Sequence, residues 1–332
     1  MTLKISLTST TLNGAQNNKY KIRGTKMKNM IKKLSVVLLM LTLSMSLSAK
    51  SKKTITKKIK KGAKATEQTV QYPKSIVTLS PAAAEILYAI GAGDQIAAVS
   101  EFTDYPPEAA SKPVVGGFDG KTLSIETILS YEPDLVYLSE GMHNFLIEPL
   151  DSYGIKWYLS NATSITAIEK EIIDMGELTG HQEQAALVVA QMAEKLSAAY
   201  TPAPADEDDE VEALDSTIKV YYEVWNAPFM SAGSTSFIND VIVNAGGKNI
   251  FDDLTDAYPM VSEESIIARA PDVILLPMNN GVSVEDVKAR AGWDSIPAVA
   301  NDRVYIIDDN TYSRPAPRIA DVVLDLSELL TK

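Results

Sequence analysis

Two glutamates in matching contexts are the first residues whose spacing suggests chemistry. Glu126 lies in Leu123-Ser124-Ile125-Glu126-Thr127-Ile128, with Pro133-Asp134-Leu135-Val136 after it. Glu264 lies in Val261-Ser262-Glu263-Glu264-Ser265-Ile266, with Pro271-Asp272-Val273-Ile274 after it, at an offset of 138 throughout. With Ser124 and Ser262 as caps, each carboxylate falls in a first helical turn, where it offsets the helix dipole by ~0.3–1 kcal/mol. One such residue is ordinary, but a repeated pair asks for a reason common to both copies. The second group is aromatic: Tyr105 in Asp104-Tyr105-Pro106-Pro107, Phe118 after Gly116-Gly117, Phe229 in Ala227-Pro228-Phe229, and Tyr258 before Pro259. All four sit in turn-rich segments rather than mid-strand. Core aromatics usually sit mid-strand, so these four are candidates for a role at the surface or in a cleft.

Other chemistries find little support. The chain has no cysteine and two histidines, which excludes disulfides, thiolate metal sites and a cysteine nucleophile. His181 follows Thr179-Gly180 at a helix start and reads as capping or exposed. His143, in Glu140-Gly141-Met142-His143-Asn144, follows a strand end. It is read as a surface-loop histidine, with an axial ligand for cobalt or iron as the alternative. A zinc or manganese site would need more His ligands, so no resident metal or cofactor is expected. There is no G-x-S-x-G elbow and no P-loop, and Gly91-Ala92-Gly93 follows a helix and lacks a third glycine. The enzyme alternative is an exported hydrolase using a carboxylate pair. Ser80 and Ser234 read as helix caps that open on the cleft, where backbone N–H groups could meet polar ligand edges. Arg314 faces either ligand carboxylates or amides, or an acidic partner in the same chain. Trp157, Trp225 and Trp293 read as core or rim.

The elements that position these residues follow from pattern. Residues 34–47 are an uncharged apolar run after Lys28, Lys32 and Lys33, with small residues Ser46, Ser48 and Ala49 at its end. This is the pattern of a secretory signal, too short for a membrane span, and Met27 or Met30 would each begin a normal one. Residues 1–49 are therefore assigned to upstream sequence and signal, and 50–71 to a flexible Lys-rich leader. From residue 65 onward fifteen basic face 43 acidic residues, a net charge of −28 that argues against nucleic acid. Export without a cysteine for a lipid anchor makes the periplasm the expected address, and a monomer is expected. Beyond Tyr72, strand-like runs such as Ile76–Leu79 and Asp134–Leu138 alternate with helical ones such as Ala82–Ile90. That alternation predicts an α/β fold with mostly parallel sheets. The repeat splits it into two similar lobes, 72–180 and 218–332, joined by one long rigid helix over 181–200. Residues 201–217 form an acidic loop, and the ligand cleft lies between the lobes. A fainter match at offset 154 pairs Ser80 with Ser234 and Gly93-Asp94-Gln95-Ile96 with Gly247-Lys248-Asn249-Ile250.

The ordered set of motifs resembles the helical-backbone class of periplasmic binding proteins that serve siderophore, haem and vitamin B12 importers. It comprises Ile76–Pro81 with Glu85, Asp104–Ala109, Val115–Phe118, Ser124 to Val136, Asn244–Gly247 with Asn249–Phe251, Val261–Glu264 and Arg314–Arg318. The likeness covers about residues 72–330, and the vitamin B12 members look closest. The resemblance implies a solute-binding protein that captures a corrinoid and delivers it to an ABC permease–ATPase complex in the inner membrane. Ferric siderophore and haem are the alternative ligands. It further implies that Glu126 and Glu264 dock into arginine pockets of the permease. Ser80, Tyr105, Phe118, Phe229, Tyr258 and Arg314 would then contact the ligand. Where B12-binding relatives often carry Trp, this chain has Phe118 and Tyr258, with two extra residues between Phe118 and Glu126.

Overall fold

The computed structural model describes residues 71–117, 119–199 and 217–332. The expected signal, all of the expected leader but Gln71, nearly all of the expected acidic loop, and Phe118 lie outside these residues. In the first lobe, strands β1 (Ile76–Thr78), β2 (Ile96–Ala98), β3 (Leu135–Ser139) and β4 (Lys156–Ser160) form a parallel sheet in the order β2-β1-β3-β4. Helices α1 (Pro81–Ala89) and α2 (Ile125–Leu129) connect them. Helices α3 (Ile165–Thr179) and α4 (Gln182–Ala199) follow. The second lobe holds β5 (Lys219–Tyr222), the hairpin β6 (Trp225–Asn226) and β7 (Phe229–Met230), and helix α5 (Phe237–Asn244). It continues with β8 (Lys248–Asn249), α6 (Glu263–Arg269), β9 (Val273–Pro277), β10 (Val304–Ile307) and the closing helix α7 (Ile319–Leu330). Its main sheet is also parallel, in the order β10-β9-β5-β8.

The two sheets are one pattern used twice, because β8-β5-β9-β10 repeats β2-β1-β3-β4. The chemistry of the repeated Pro-Asp is visible in both copies. Asp134 accepts from Lys74 N (2.7 Å) and Ser75 N (3.1 Å), and Asp272 accepts from Lys219 N (2.8 Å). Each aspartate satisfies amides at the entry of the neighbouring strand that would otherwise be orphaned. Ahead of each Pro-Asp a residue takes positive φ, Glu132 at 49° and Ala270 at 47°, again 138 apart. Strands β3 and β9 are almost wholly buried apolar runs, as strands covered on both faces must be.

The helix that joins the lobes packs against the last helix of the first lobe. The expected helix over 181–200 is present as α4, but α3 precedes it and folds back on it at Gly180, which caps α3 at φ 85°. Gly176 makes the close approach: a Cβ there would lie 2.5 Å from Ala185 Cβ. On its far side α4 packs on α7, fastened by Ser327 Oγ donating to Ala199 O (2.6 Å) and by Lys195 paired with Asp321 (2.5 Å). One apolar cluster therefore runs without a break from Ile76 in the first sheet, through Ile172 and Met192, to Leu326 in the last helix. Among the described residues no helix is long and apolar enough to cross a membrane.

Candidate functional site

Parallel strands release their chains at the carboxyl ends, and that is where α/β sheets place ligands. Here the segments after β1, β3 and β4 bring Ser80, Ser139, Glu140, Met142, Ser160 and Asn161 to one face of a cleft of about 520 Å³. The second lobe supplies Thr235, Ser236 and Phe237 from the start of α5, then Tyr258, and finally Asn310, Ser313, Arg314 and Pro315. Its apolar surfaces come from Phe102, Met142, Phe237, Tyr258 and Pro315. Around them the polar lining is almost all hydroxyl and carboxamide.

Three of the six expected ligand contacts meet in this cleft: Ser80, Tyr258 and Arg314. Ser80 is the N-cap of α1 by position, yet its side chain makes no cap hydrogen bond, so the expected capping role is corrected. Pro81 at the first helical position presets φ and removes one orphan N–H, which leaves the hydroxyl for the cleft. Ser234 is not a cap either. It donates to Leu254 O (2.9 Å), while Ser236 caps α5 by accepting from Asn239 N (3.1 Å).

Two of the expected aromatics do other work. Tyr105 lies outside the cleft lining, where the Arg318 guanidinium stacks 3.7 Å from its ring centroid. Phe229, half-buried, packs against Trp293 at 5.9 Å, with Arg290 over it at 5.0 Å, on the edge of the second-lobe core. Trp293 is fully buried and donates to Glu263 (2.7 Å), whereas Trp225 is exposed. The aromatics that do line the cleft, Phe102 and Phe237, went unselected by sequence. Phe102 precedes the Asp104-Tyr105 turn by two residues, and of this segment it is Phe102, not Tyr105, that lines the cleft. Phe237 opens a helix and reads there as an ordinary apolar position.

Arg314 sits in a network that joins the lobes. Its Nη1 donates to Asp104 Oδ1 (2.6 Å) and stands 4.0 Å from Glu85 Oε2. Glu85, on α1 and only 3% exposed, accepts two bonds from Arg318, from Nε (3.0 Å) and Nη2 (2.8 Å). Two carboxylates of the first lobe thus balance two guanidiniums of the last segment, and the Arg314 charge is matched inside the protein.

His143 is neither a surface histidine nor a cleft ligand, because it is fully buried. Its Nδ1 accepts the Ser139 amide (2.9 Å), which places the ring proton on Nε2. Burial holds its pKa down to about 4. The unfolded chain, titrating near ~6.5, takes up its proton first, so stability is in full above that pH. It is then lost as pH falls toward about 4, by on the order of 2–3 kcal/mol. Thermal midpoints should decline across this window, and His143→Gln should flatten the slope. An unchanged slope in that variant would assign the loss to another group.

Glu126 and Glu264 stand where the repeat put them. Both are exposed in the first turns of α2 and α6, whose caps Ser124 and Ser262 accept from Thr127 N (3.0 Å) and Ser265 N (3.2 Å). Neither carboxylate has a hydrogen-bond or ion-pair partner among the described residues.

With this geometry in view, similarity to known proteins is specific. Residues 76–311 match the family of periplasmic binding proteins. A cobalamin-binding protein of Halobacterium salinarum is 32% identical over 260 residues, 75% of this chain and 67% of that one. The crystal structure of a periplasmic vitamin B12 binding protein of Vibrio cholerae superposes with a TM-score of 0.65 at 28% identity, covering 78% of this chain and 97% of the other. A possible iron-binding, periplasmic solute-binding protein of Staphylococcus epidermidis superposes with a TM-score of 0.66 at 30% identity, covering 79% and 100%. A transport-type binding family, not an enzyme family, accounts for the two lobes and the cleft, and the chain belongs to the periplasmic binding protein family of ABC-type import.

Proposed function

We propose that this protein captures a corrinoid in the cleft between its lobes and hands it to an ABC permease in the inner membrane. The observation that carries the ligand class is the character of the cleft. Flat apolar groups from both lobes, among them Phe102, Phe237 and Tyr258, are surrounded by serine, threonine and asparagine. A corrin presents an apolar face and a periphery of neutral carboxamides, which hydroxyls and amides match as both donors and acceptors. Haem carries two propionates and catecholate siderophores carry several negative charges, so both favour uncompensated cations. The cleft's Arg314 is already held by Asp104 at 2.6 Å, and Glu140 adds a negative group to the lining.

The periplasm as address, a monomeric state, and docking through Glu126 and Glu264 are parts of the same reading. The direct test is retention. The protein is mixed with cyanocobalamin, haem or a ferric hydroxamate, desalted, and its visible spectrum recorded. Cyanocobalamin should stay bound, and Tyr258→Ala should weaken it roughly tenfold through lost stacking. Retention of haem alone would replace the corrinoid with a porphyrin, and consumption of a ligand would replace transport with catalysis.

A further inference from the structure

Ser160 ends β4 and lines the cleft while only 8% exposed. Its Oγ lies 2.6 Å from Oε2 of Glu171, a carboxyl on α3 that is itself 3% exposed. The other oxygen, Oε1, accepts the Tyr137 hydroxyl. Tyr137, Glu171 and Ser160 thus form a hydrogen-bonded chain that runs from the sheet interior to the cleft.

The surroundings determine which protonation state this chain holds. From the sheet, Tyr137 and Tyr158 face this part of α3, and Tyr158 donates to Asp174 (2.9 Å). On α3 itself Asp174 is paired with Lys170 (2.5 Å). The packed face of α4 is apolar there, with Val188, Val189 and Met192. Glu85 of α1 is bound to Arg318, and Asp240 of α5 accepts from Ile165 N (2.7 Å). In the cleft the ionisable lining groups are Glu140, Tyr258 and Arg314. Burial first, then the Asp174 charge, push the Glu171 pKa up to about 8.

A protonated carboxyl must place its proton in a hydrogen bond when buried. With Tyr137 donating to Oε1, the protonated form has Ser160 Oγ, 2.6 Å from Oε2, as the acceptor for its acid proton, whereas the ionised form takes the Ser160 proton instead. A serine hydroxyl has a single hydrogen. Once its oxygen accepts from Glu171, that hydrogen is released toward the cleft.

We propose that Ser160 is a specificity-determining ligand contact, which Glu171 sets as a hydrogen-bond donor toward a carbonyl-type oxygen of the bound ligand, such as a carboxamide C=O. This rests on the cleft being the solute site. Glu171 is the positioning residue. When it ionises, Ser160 must donate inward to the carboxylate and turns a lone pair to the ligand, so a carbonyl is repelled where it had been bound.

The test uses the full chain and cyanocobalamin, with haem and a ferric hydroxamate run beside it. Affinity for cyanocobalamin should fall about tenfold between about pH 7 and about pH 9.5, the worth of one hydrogen bond. Ser160→Ala should bind about five- to tenfold more weakly near pH ~7 and lose the step. Glu171→Gln, whose amide donates to Oγ at every pH, should also lose the step. A step of wild-type size in both variants overturns the proposal. The ¹³C resonance of the Glu171 carboxyl reads the same switch without ligand. If no probe binds at any pH, the functional reading fails and this resonance alone decides. A carboxyl already ionised near pH ~7 overturns the proposal, and one still protonated there sustains the Tyr137–Glu171–Ser160 chain.

Discussion

Glu85→Ala should cost about 3–5 kcal/mol of stability, the largest loss expected from a single polar substitution in this protein. Glu85 is 3% exposed and is held by two charged bonds from Arg318, with Arg314 at 4.0 Å. Removing it leaves the Arg318 guanidinium, which is only partly exposed, against the Tyr105 ring without its hydrogen-bonded carboxylate. Breaking one member of a buried pair is far more costly than never having had the pair, because the surviving charge stays desolvated. Glu85→Gln keeps the shape and one acceptor and should lose about half as much. Replacing both partners by apolar residues, Glu85→Leu with Arg318→Met, should recover most of the loss. Urea unfolding of the four proteins separates these outcomes. A Glu85→Ala variant within ~1 kcal/mol of wild type would mean that water reaches the arginine readily.

The double variant Glu126→Ala/Glu264→Ala should bind ligand as the wild type does and fail in transport. Both carboxylates are exposed at helix starts and without partners among the described residues, so their removal costs each helix only ~0.3–1 kcal/mol. Neither lines the cleft. A charged contact truncated at an interface costs ~2–5 kcal/mol, which is roughly thirtyfold or more in affinity. Uptake by vesicles carrying the cognate importer should therefore collapse while ligand retention is unchanged. Each single variant should show an intermediate loss. Parental uptake with the double variant would return both residues to ordinary helix-start charges, and weakened ligand binding would contradict their distance from the cleft.

The repeated glutamate pair and the interlobe network differ in how far sequence could carry them. Glu126 and Glu264 were legible because everything that places them is local: a serine cap, one helical turn, and a Pro-Asp that closes the neighbouring strand. Local rules repeat when the sequence repeats, so an offset of 138 reappears as matching caps, matching positive φ and matching sheet order. The α/β alternation, the two lobes and the existence of α4 were legible for the same reason. The partnership of Glu85 with Arg318 was not, since the two stand 233 residues apart and no periodicity relates them. Both stand in sequence motifs, with nothing in the chain to say that the motifs meet.

The sequence by itself determined which segments turn, cap and extend, and hence where a cleft had to open: at the carboxyl ends of two parallel sheets. Which side chains face that cleft was decided by tertiary structure. Tyr105 and Phe102 lie three residues apart in one turn, but Arg318 arrives from the far end of the chain to cover the first, and the second is left to line the cleft. Phe229 was drawn to the edge of the second core by Trp293 and Arg290, although its turn looked like a ligand loop. Glu171 reads in sequence as one more helical glutamate, and only packing beneath β3 and β4 strips its water and sets it against Ser160. Backbone preferences act over a few residues, so sequence carries them. Desolvation and ion pairing depend on everything within a few ångströms, whatever its position in the chain, so only the folded molecule settles them.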